Sequence, residues 1–195
     1  MAFLRPSFVE EASAFIRGDG LWLRPPAMSD YDQWAYVRRI SRDHLVPFEP
    51  QWAMDELSRA AYRERIRLYQ RNRRDGLGYA FFIFRESDRH LIGAITFSNV
   101  RRGITQAASL GYWIGEPYTR QGHMRRALAA VLPFAFEDLR LHRLEAACLP
   151  HNAASQRVLE ANGFTREGLA RRYLRINGQW QDHVLFGLIE EDWNA

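Results

Sequence analysis

The stretch Tyr118-Thr119-Arg120-Gln121-Gly122-His123-Met124-Arg125-Arg126 decides how this chain folds. Before it lies a strand-like run, Leu110 to Ile114. After it, Leu128, Val131, Leu132, Ala135 and Phe136 recur on one face of a helix. A strand that ends in a tight turn and feeds a helix leaves several main-chain N–H groups unpaired and pointing one way. The helix dipole adds partial positive charge at the same place. The product is an anion socket, and phosphates are its usual guests. Arg120, Arg125 and Arg126 lie in or beside it.

Outward from the socket, the spacing predicts a strand-rich sheet with helices. Residues 1–19 read as an arm or irregular helix. Leu21 to Arg24 is a short strand stopped by Pro25-Pro26. Ser29 or Asp30 caps a helix carrying Trp34, Val37 and Ile40. Pro47 and Pro50 make His44 to Pro50 a loop. Met54, Leu57, Ala61 and Leu68 sit at helical spacing in an arginine-rich helix ending near Asp75-Gly76. Three strands follow: Tyr79 to Arg85, Leu91 to Asn99, and Ala107 to Ile114. The socket helix runs from Gly122 to Leu139, with a kink or break expected at Pro133. Arg143 to Leu149 is a strand, and Asn152 caps a helix from Ala153 to Asn162, with Gly163 just past its end. Tyr173 to Ile176 and Trp180 to Phe186 flank Asn177-Gly178, a strong two-residue hairpin signal. This order implies a mixed sheet with helices on both faces, an α/β (α+β) arrangement.

The chain has 195 residues, 47% apolar and 26% charged, which suits one globular domain. No apolar run approaches the ~20 residues of a membrane span. Glu10, Glu11 and Asp19 argue against a signal peptide, and the lone Cys148 has no internal disulfide partner. A cytoplasmic location with no membrane contact is expected. All 27 basic residues are arginine and the net charge is +4. Without lysine, no side-chain amine can act as base or Schiff-base former. The arginine clusters at 63–74, 101–102, 125–126 and 171–172 allow a weak ribosome or RNA contact, although solvated helix faces explain the first equally well. The six histidines show no metal-ligand spacing, so no metal is expected.

Several segments resemble the GNAT N-acetyltransferase superfamily. The turn Thr119-Arg120-Gln121-Gly122-His123-Met124 matches the superfamily's Gln/Arg-x-x-Gly-x-Gly/Ala at its central glycine, with Thr first and Met last. The segments Leu141-His142-Arg143-Leu144-Glu145, Pro150-His151-Asn152-Ala153-Ala154-Ser155 and Leu159-Glu160-Ala161-Asn162-Gly163-Phe164 are similar to the RimJ/RimL-like branch, which acetylates ribosomal-protein N-termini. The likeness to the RimJ type, ribosomal-protein-alanine N-acetyltransferase, extends to Phe97 to Gly103, Leu110-Gly111-Tyr112 and Ile176 to Leu185. It covers nearly all the chain from residue 21 and implies a mostly antiparallel sheet of about seven strands, splayed between the fourth and fifth.

The resemblance also implies the chemistry. The anion would be the pyrophosphate of the cosubstrate acetyl-CoA, held by N–H groups from Arg120, Gln121, Gly122, His123, Met124 and Arg125. Charge would come from Arg120, Arg125 and Arg126. The pantetheine arm would pair with Trp113, Ile114 and Gly115 in the splay, where a strand N–H polarises the thioester carbonyl. Asn152 would bond the pantetheine as well as cap its helix. Many relatives carry a tyrosine acid seven residues after that asparagine; Leu159 stands there, so no tyrosine acid is expected and Ser155 becomes the candidate to stabilise the leaving thiolate.

For the base, Glu49, Glu116, His151 and Glu145 are candidates. Glu49 is chosen because its loop forms the acceptor wall in relatives, with Pro47 and Phe48 shaping a small slot. Asn99 could orient the acceptor amine. An α-amine of pKa about 8 costs only ~1.4 kcal/mol to deprotonate at pH 7, against ~4.6 for a lysine amine, so a modest base suffices. Cys148 alternates with Leu144 and Ala146 and reads as a buried small residue rather than an acetyl carrier. The expected reaction is direct transfer to the N-terminal alanine or serine of a protein, plausibly ribosomal, by a monomer or homodimer. A small-molecule amine acceptor, a non-catalytic acyl-CoA-binding protein and a ribosome-assembly factor are the alternatives.

Overall fold

A computed structural model describes residues 15–193. Eight strands form one sheet in the order β1-β2-β3-β4-β5-β6-β8-β7. They are β1 (Ile16–Gly18), β2 (Leu21–Arg24), β3 (Tyr79–Arg85), β4 (Leu91–Arg101), β5 (Ala107–Ile114), β6 (Arg143–Cys148), β7 (Thr165–Ile176) and β8 (Gln179–Ile189). Every pairing is antiparallel except β5 with β6. The mixed, mostly antiparallel sheet is as expected, with one strand more than the seven foreseen. The additional strand, β1, lies within the segment read as an arm; residues 1–14 of that arm fall outside the described residues.

Strand β3 shows why helices cover both faces. Its run Phe81-Phe82-Ile83-Phe84 is fully buried, and a strand sends alternate side chains to opposite sides. Phe81 and Ile83 join a core with Met124, Leu128, Val131 and Leu132 of helix α4 (His123–Pro133) and Leu159 of α5 (Ala153–Glu160). Phe82 and Phe84 join Trp34 and Ala35 of α1 (Tyr31–Ile40), with Tyr62 and Ile66 of α3 (Arg59–Arg74).

Several local expectations need correction. Asp30 does not cap α1 with its side chain; buried, it takes both arms of the Arg24 guanidinium at 2.7 and 2.5 Å and the Ala27 N–H at 2.8 Å. The expected loop His44 to Pro50 holds the end of a short helix α2 (Arg42–Leu45) and a 3-10 turn, Val46–Phe48, because proline is tolerated in a first helical turn. Helix α3 starts only at Arg59, where Ser58 accepts the Ala61 N–H, so Met54 stays exposed outside it. Its buried face is Tyr62 and Ile66, while Leu68 points to solvent. Ile40 of α1 is likewise exposed. Strand β7 begins at Thr165, eight positions before the aromatic stretch that signalled it, because its first two-thirds is exposed and arginine-rich.

Pro133 does break the socket helix. The α-helical run ends there and continues as one π-helical stretch, Phe134–Asp138, closed by Leu139 N–H on the Phe134 carbonyl. Proline's missing donor and its ring's clash with the preceding turn account for the change of pitch. The Asn177-Gly178 hairpin forms as expected, both residues at positive φ (43° and 80°).

The feature that matters most for function is where the sheet stops being a sheet. Strands β5 and β6 pair from Ala107↔Arg143 to Leu110↔Ala146 and then part. Beyond that point β5 keeps only its β4 neighbour, through Gly93↔Ile114, Ala94↔Trp113 and Ile95↔Tyr112. Gly93 is needed for this close approach: a Cβ there would collide with the Trp113 carbonyl oxygen and lie 3.3 Å from the Ile114 Cα. Gly93→Ala is therefore expected to destabilise the fold by about 2 kcal/mol through overpacking against main chain. Thermal unfolding should show a Tm about 4–8 °C lower; an unchanged Tm would contradict the packing described.

Candidate active site

The parting of β5 and β6 opens a cleft of about 700 Å³. Its floor is the exposed length of β5, one wall is the socket and the start of α4, another is α5, and the far wall is the segment His44 to Glu49. Of the residues singled out from sequence, the cleft gathers Glu49, Trp113, Ile114, Arg120, Gly122, His123, Met124, Arg125, Asn152 and Ser155. Gly115, Gln121, Arg126 and Asn99 do not line it.

The socket is built by two left-handed residues. Arg120 (φ 58°) and Gly122 (φ 73°) turn the chain sharply after the 3-10 turn Glu116–Tyr118. Among the described residues, no N–H from Arg120 to Arg125 finds an acceptor; the first paired one is Arg126, on the Gly122 carbonyl at 3.1 Å. Six consecutive donors are therefore left without an intramolecular partner at a helix N-terminus, a fitting cradle for a diphosphate. Arg120 and Arg125 stand at the cleft without a carboxylate partner among the described residues.

Arg126, expected to add charge to the anion, also braces the turn. It donates to the Asp19 carbonyl at 3.0 Å, the Gln121 carbonyl at 3.2 Å and His123 Nδ1 at 2.9 Å. His123 Nε2 meets Gln121 Oε1 at 3.1 Å, and Gln121 Nε2 donates to the Pro117 carbonyl at 2.9 Å. Burial, then the Arg126 and Arg85 charges, holds the His123 pKa below its ordinary value. That suits a ring nitrogen that must stay unprotonated to accept from Arg126.

Of the three β5 positions expected to pair with a ligand chain, Ile114 turns its main chain into the cleft. The Gly115 N–H is committed to the Ile92 carbonyl at 2.8 Å, and by strand alternation the Trp113 main chain also faces β4. The same alternation turns Tyr112 and Ile114 outward. Gly115 is tightly packed, with no room for a Cβ beside Val37 (2.6 Å). The Trp113 ring contributes a wall, lying 5.1 Å from the Arg38 guanidinium.

Asn152 caps α5, its Oδ1 accepting the Ser155 N–H at 3.1 Å, which fixes Ser155 on the first turn. The serine is not alone. Tyr112 Oη lies 2.8 Å from Ser155 Oγ and 3.2 Å from its carbonyl oxygen. Leu159 gave no tyrosine acid, as read from the sequence; β5 nonetheless places a tyrosine hydroxyl beside Ser155. Burial pushes the Tyr112 hydroxyl above the usual phenol range, with the Ser155 bond opposing. Period two along β5, which puts Leu110, Tyr112 and Ile114 on one side, was the signal that could have found it. Burial also raises the Cys148 thiol, against the Ser155 hydrogen bond, which fits a neutral packed side chain.

On the far wall Glu49 is held by three donors. Arg38 Nη1 and Nη2 reach Oε1 and Oε2 at 3.1 and 2.6 Å, and Trp52 Nε1 reaches Oε2 at 2.7 Å. Glu49 lines the cleft, and Oε1, with Arg38 Nη1 as its one donor among the described residues, has accepting capacity left. The hairpin tip docks beside it, with the Asn177 N–H on the Glu49 carbonyl at 2.9 Å. Glu116 lines the cleft too, its N–H held by Ser41 Oγ at 2.9 Å. His151 is exposed beside Phe48, ring centroids 5.9 Å apart. Glu145 sits in the closed part of the sheet opposite Ser109, tied to Arg101 and to Arg143 at 3.3 Å, too far along the strand to serve the cleft. Asn99 is exposed at the β4 bulge, its amide 3.4 Å from Ser109 Oγ. No helix among the described residues is long and apolar enough to cross a membrane.

A family model described as acetyltransferase (GNAT) domain matches residues 20–165. The chain is 34% identical over 177 residues to the probable N-acetyltransferase YjcK of Bacillus subtilis, covering 91% of this chain and 98% of the relative. It is 35% identical over 166 residues to the [ribosomal protein uS5]-alanine N-acetyltransferase of Escherichia coli, covering 84% and 86%. Among solved structures, Mycobacterium smegmatis RimJ in complex with CoA-disulfide superposes with a TM-score of 0.86 at 32% identity, over 93% of this chain and 88% of that one. The ribosomal-protein-S5-alanine acetyltransferase of Vibrio fischeri gives 0.85 at 31%, over 93% and 99%. A sheet splayed beside a glycine turn with six free N–H groups, matched along three-quarters of its length and more by such proteins, has one meaning: the chain belongs to the GNAT acetyltransferase family and is an N-acetyltransferase whose cosubstrate is acetyl-CoA.

Proposed function

We propose that the enzyme transfers acetyl directly to the α-amine of a protein N-terminus, alanine or serine, on a ribosomal protein in the cytoplasm. The observation that carries this reading is the continuity of the cleft. One cavity joins the socket residues Arg120 and Gly122 to Arg125, the Ser155–Tyr112 pair and the Glu49 wall beside the hairpin tip. The names borne by its Escherichia coli and Vibrio fischeri relatives, both ribosomal-protein alanine acetyltransferases, support the acceptor class.

When bound, acetyl-CoA supplies an acetyl group activated as a thioester. The chain's own residues do the rest. N–H groups from Arg120 to Arg125 hold the diphosphate, with Arg120 and Arg125 adding charge. Main-chain groups of Tyr112 and Ile114 receive the pantetheine arm as a strand would. Ser155, fixed by Asn152 and backed by Tyr112, gives a hydrogen bond to the departing sulfur. Glu49 Oε1 receives the acceptor ammonium and is the first station for its proton. An α-amine sheds that proton at a cost of only about 1.4 kcal/mol at pH 7, so a carboxylate is sufficient. The acceptor chain end enters past Phe48, which lines the cleft beside Glu49.

Peptides beginning with alanine or serine, assayed beside polyamines, amino sugars and lysine side chains, test the acceptor. Turnover at least about 100-fold faster on the peptides is expected; turnover confined to small amines would reject the protein N-terminus. Ser155→Ala should lower kcat about 100-fold and leave the KM for acetyl-CoA within about twofold, the pattern of a group acting on the leaving thiolate. Equal loss in KM would instead mark Ser155 as a binding residue. Gly122→Val forces a β-branched residue to φ 73°, so coenzyme A affinity measured by calorimetry should fall at least about tenfold.

A further inference from the structure

Behind Glu49 lies a group that the reaction as described does not use. Arg38, on α1, is only 4% exposed. Its guanidinium lies over three indole rings, 4.4 Å from Trp52, 5.1 Å from Trp113 and 5.7 Å from Trp34. Both terminal nitrogens go to Glu49, and Nη2 is also 3.8 Å from Glu56 Oε1. Its Nε is buried without a partner. The orientation of the fork therefore follows the Glu49 carboxylate rather than the best satisfaction of its own donors.

A buried ion pair is a poor device for stability alone, since apolar side chains of similar volume often fill such a site as well or better. It is a good device for fixing a carboxylate. A guanidinium is planar, and its two parallel N–H groups define the plane of the carboxylate they meet. Stacking on indoles then fixes the plane of the guanidinium. The three rings come from three places: Trp34 from α1, Trp52 from the segment carrying Glu49, and Trp113 from the cleft strand β5. Arg38 thereby registers the acceptor wall against the floor of the cleft.

We propose that Arg38 is a positioning residue for acceptor recognition: clamped in its tryptophan box, it holds the Glu49 carboxylate so that Oε1 faces the incoming ammonium. This rests on the role given to Glu49 above. The test is a double-mutant cycle with the best acceptor from the panel of peptides and small amines, with fold integrity followed by coenzyme A affinity. Glu49→Gln is expected to lower kcat/KM for the acceptor about 100-fold. Arg38→Met should do the same, while the KM for acetyl-CoA stays within about twofold in both. Arg38→Lys keeps charge without the fork and should lose about tenfold. The Arg38→Met/Glu49→Gln double variant should be no slower than Glu49→Gln, because Arg38 acts through Glu49.

Losses that multiply in the double variant would show a merely structural arginine and overturn the proposal. So would an impaired Glu49→Gln beside an Arg38→Lys of full activity, an outcome that stands even if Arg38→Met does not fold. A fully active Glu49→Gln would remove the Glu49 role itself and Arg38's with it. A wild-type enzyme that acetylates none of the amines would end both readings.

Discussion

Everything functional in this molecule depends on hydrogen bonds the fold leaves unmade. After Leu110↔Ala146, strands β5 and β6 separate, and the main-chain groups of Tyr112 and Ile114 face a cleft instead of a neighbour. A few residues on, the turn at Arg120 and Gly122 leaves the N–H groups of Arg120 to Arg125 without acceptors. Unpaired main-chain donors are costly when buried, each about 1–3 kcal/mol, and are tolerated only where solvent or a ligand reaches them. The family's use of acetyl-CoA follows from that constraint, because a long ligand with amides in its middle and a diphosphate at one end supplies the missing partners.

Around these donors the side chains divide the work by charge. Arg120 and Arg125 bring unpaired positive charge to the socket end of the cleft, and at the far wall the Glu49 carboxylate is matched by the Arg38 guanidinium. Arg126 donates to Asp19, Gln121 and His123, and keeps the turn in shape. Much of the remaining arginine is paired with acids. On α3, Arg59, Arg65, Arg67 and Arg74 each meet a carboxylate, and Arg101 meets Glu145. Between the two ends stand neutral groups, the Ser155 and Tyr112 hydroxyls; in the proposed reaction they offer the thiolate a donor without a competing charge.

The fold was largely legible because its signals are local. Apolar periodicity in α4, aromatic and β-branched runs in β3 and β4, alternation in β6, the Asn152 cap and the Asn177-Gly178 turn each act within a few residues, and each element formed where its signal lay. Strands β1 and most of β7 escaped because they are short or exposed, so pairing and not composition makes them strands. The socket was readable for the same reason as the helix that follows it. The partners of the site were not. Tyr112 meets Ser155 across 43 positions, and Arg38 meets Glu49 only once α1 and the following turn have packed. Whether Arg126 points to ligand or to Asp19, 107 residues away, is likewise decided by tertiary contact. Main-chain direction along β5 depends on register with β4, which fixes Ile114 and not Trp113 or Gly115 as the outward residue.

The central claim is that main-chain donors, more than arginine side chains, grip the cosubstrate. Amide-resolved hydrogen exchange with and without coenzyme A tests it directly. Slowed exchange is predicted at Arg120 to Arg125 and at Ile114, with little change at Gly115, whose N–H is already bonded to Ile92. Unchanged exchange at those amides, with protection elsewhere, would contradict the account.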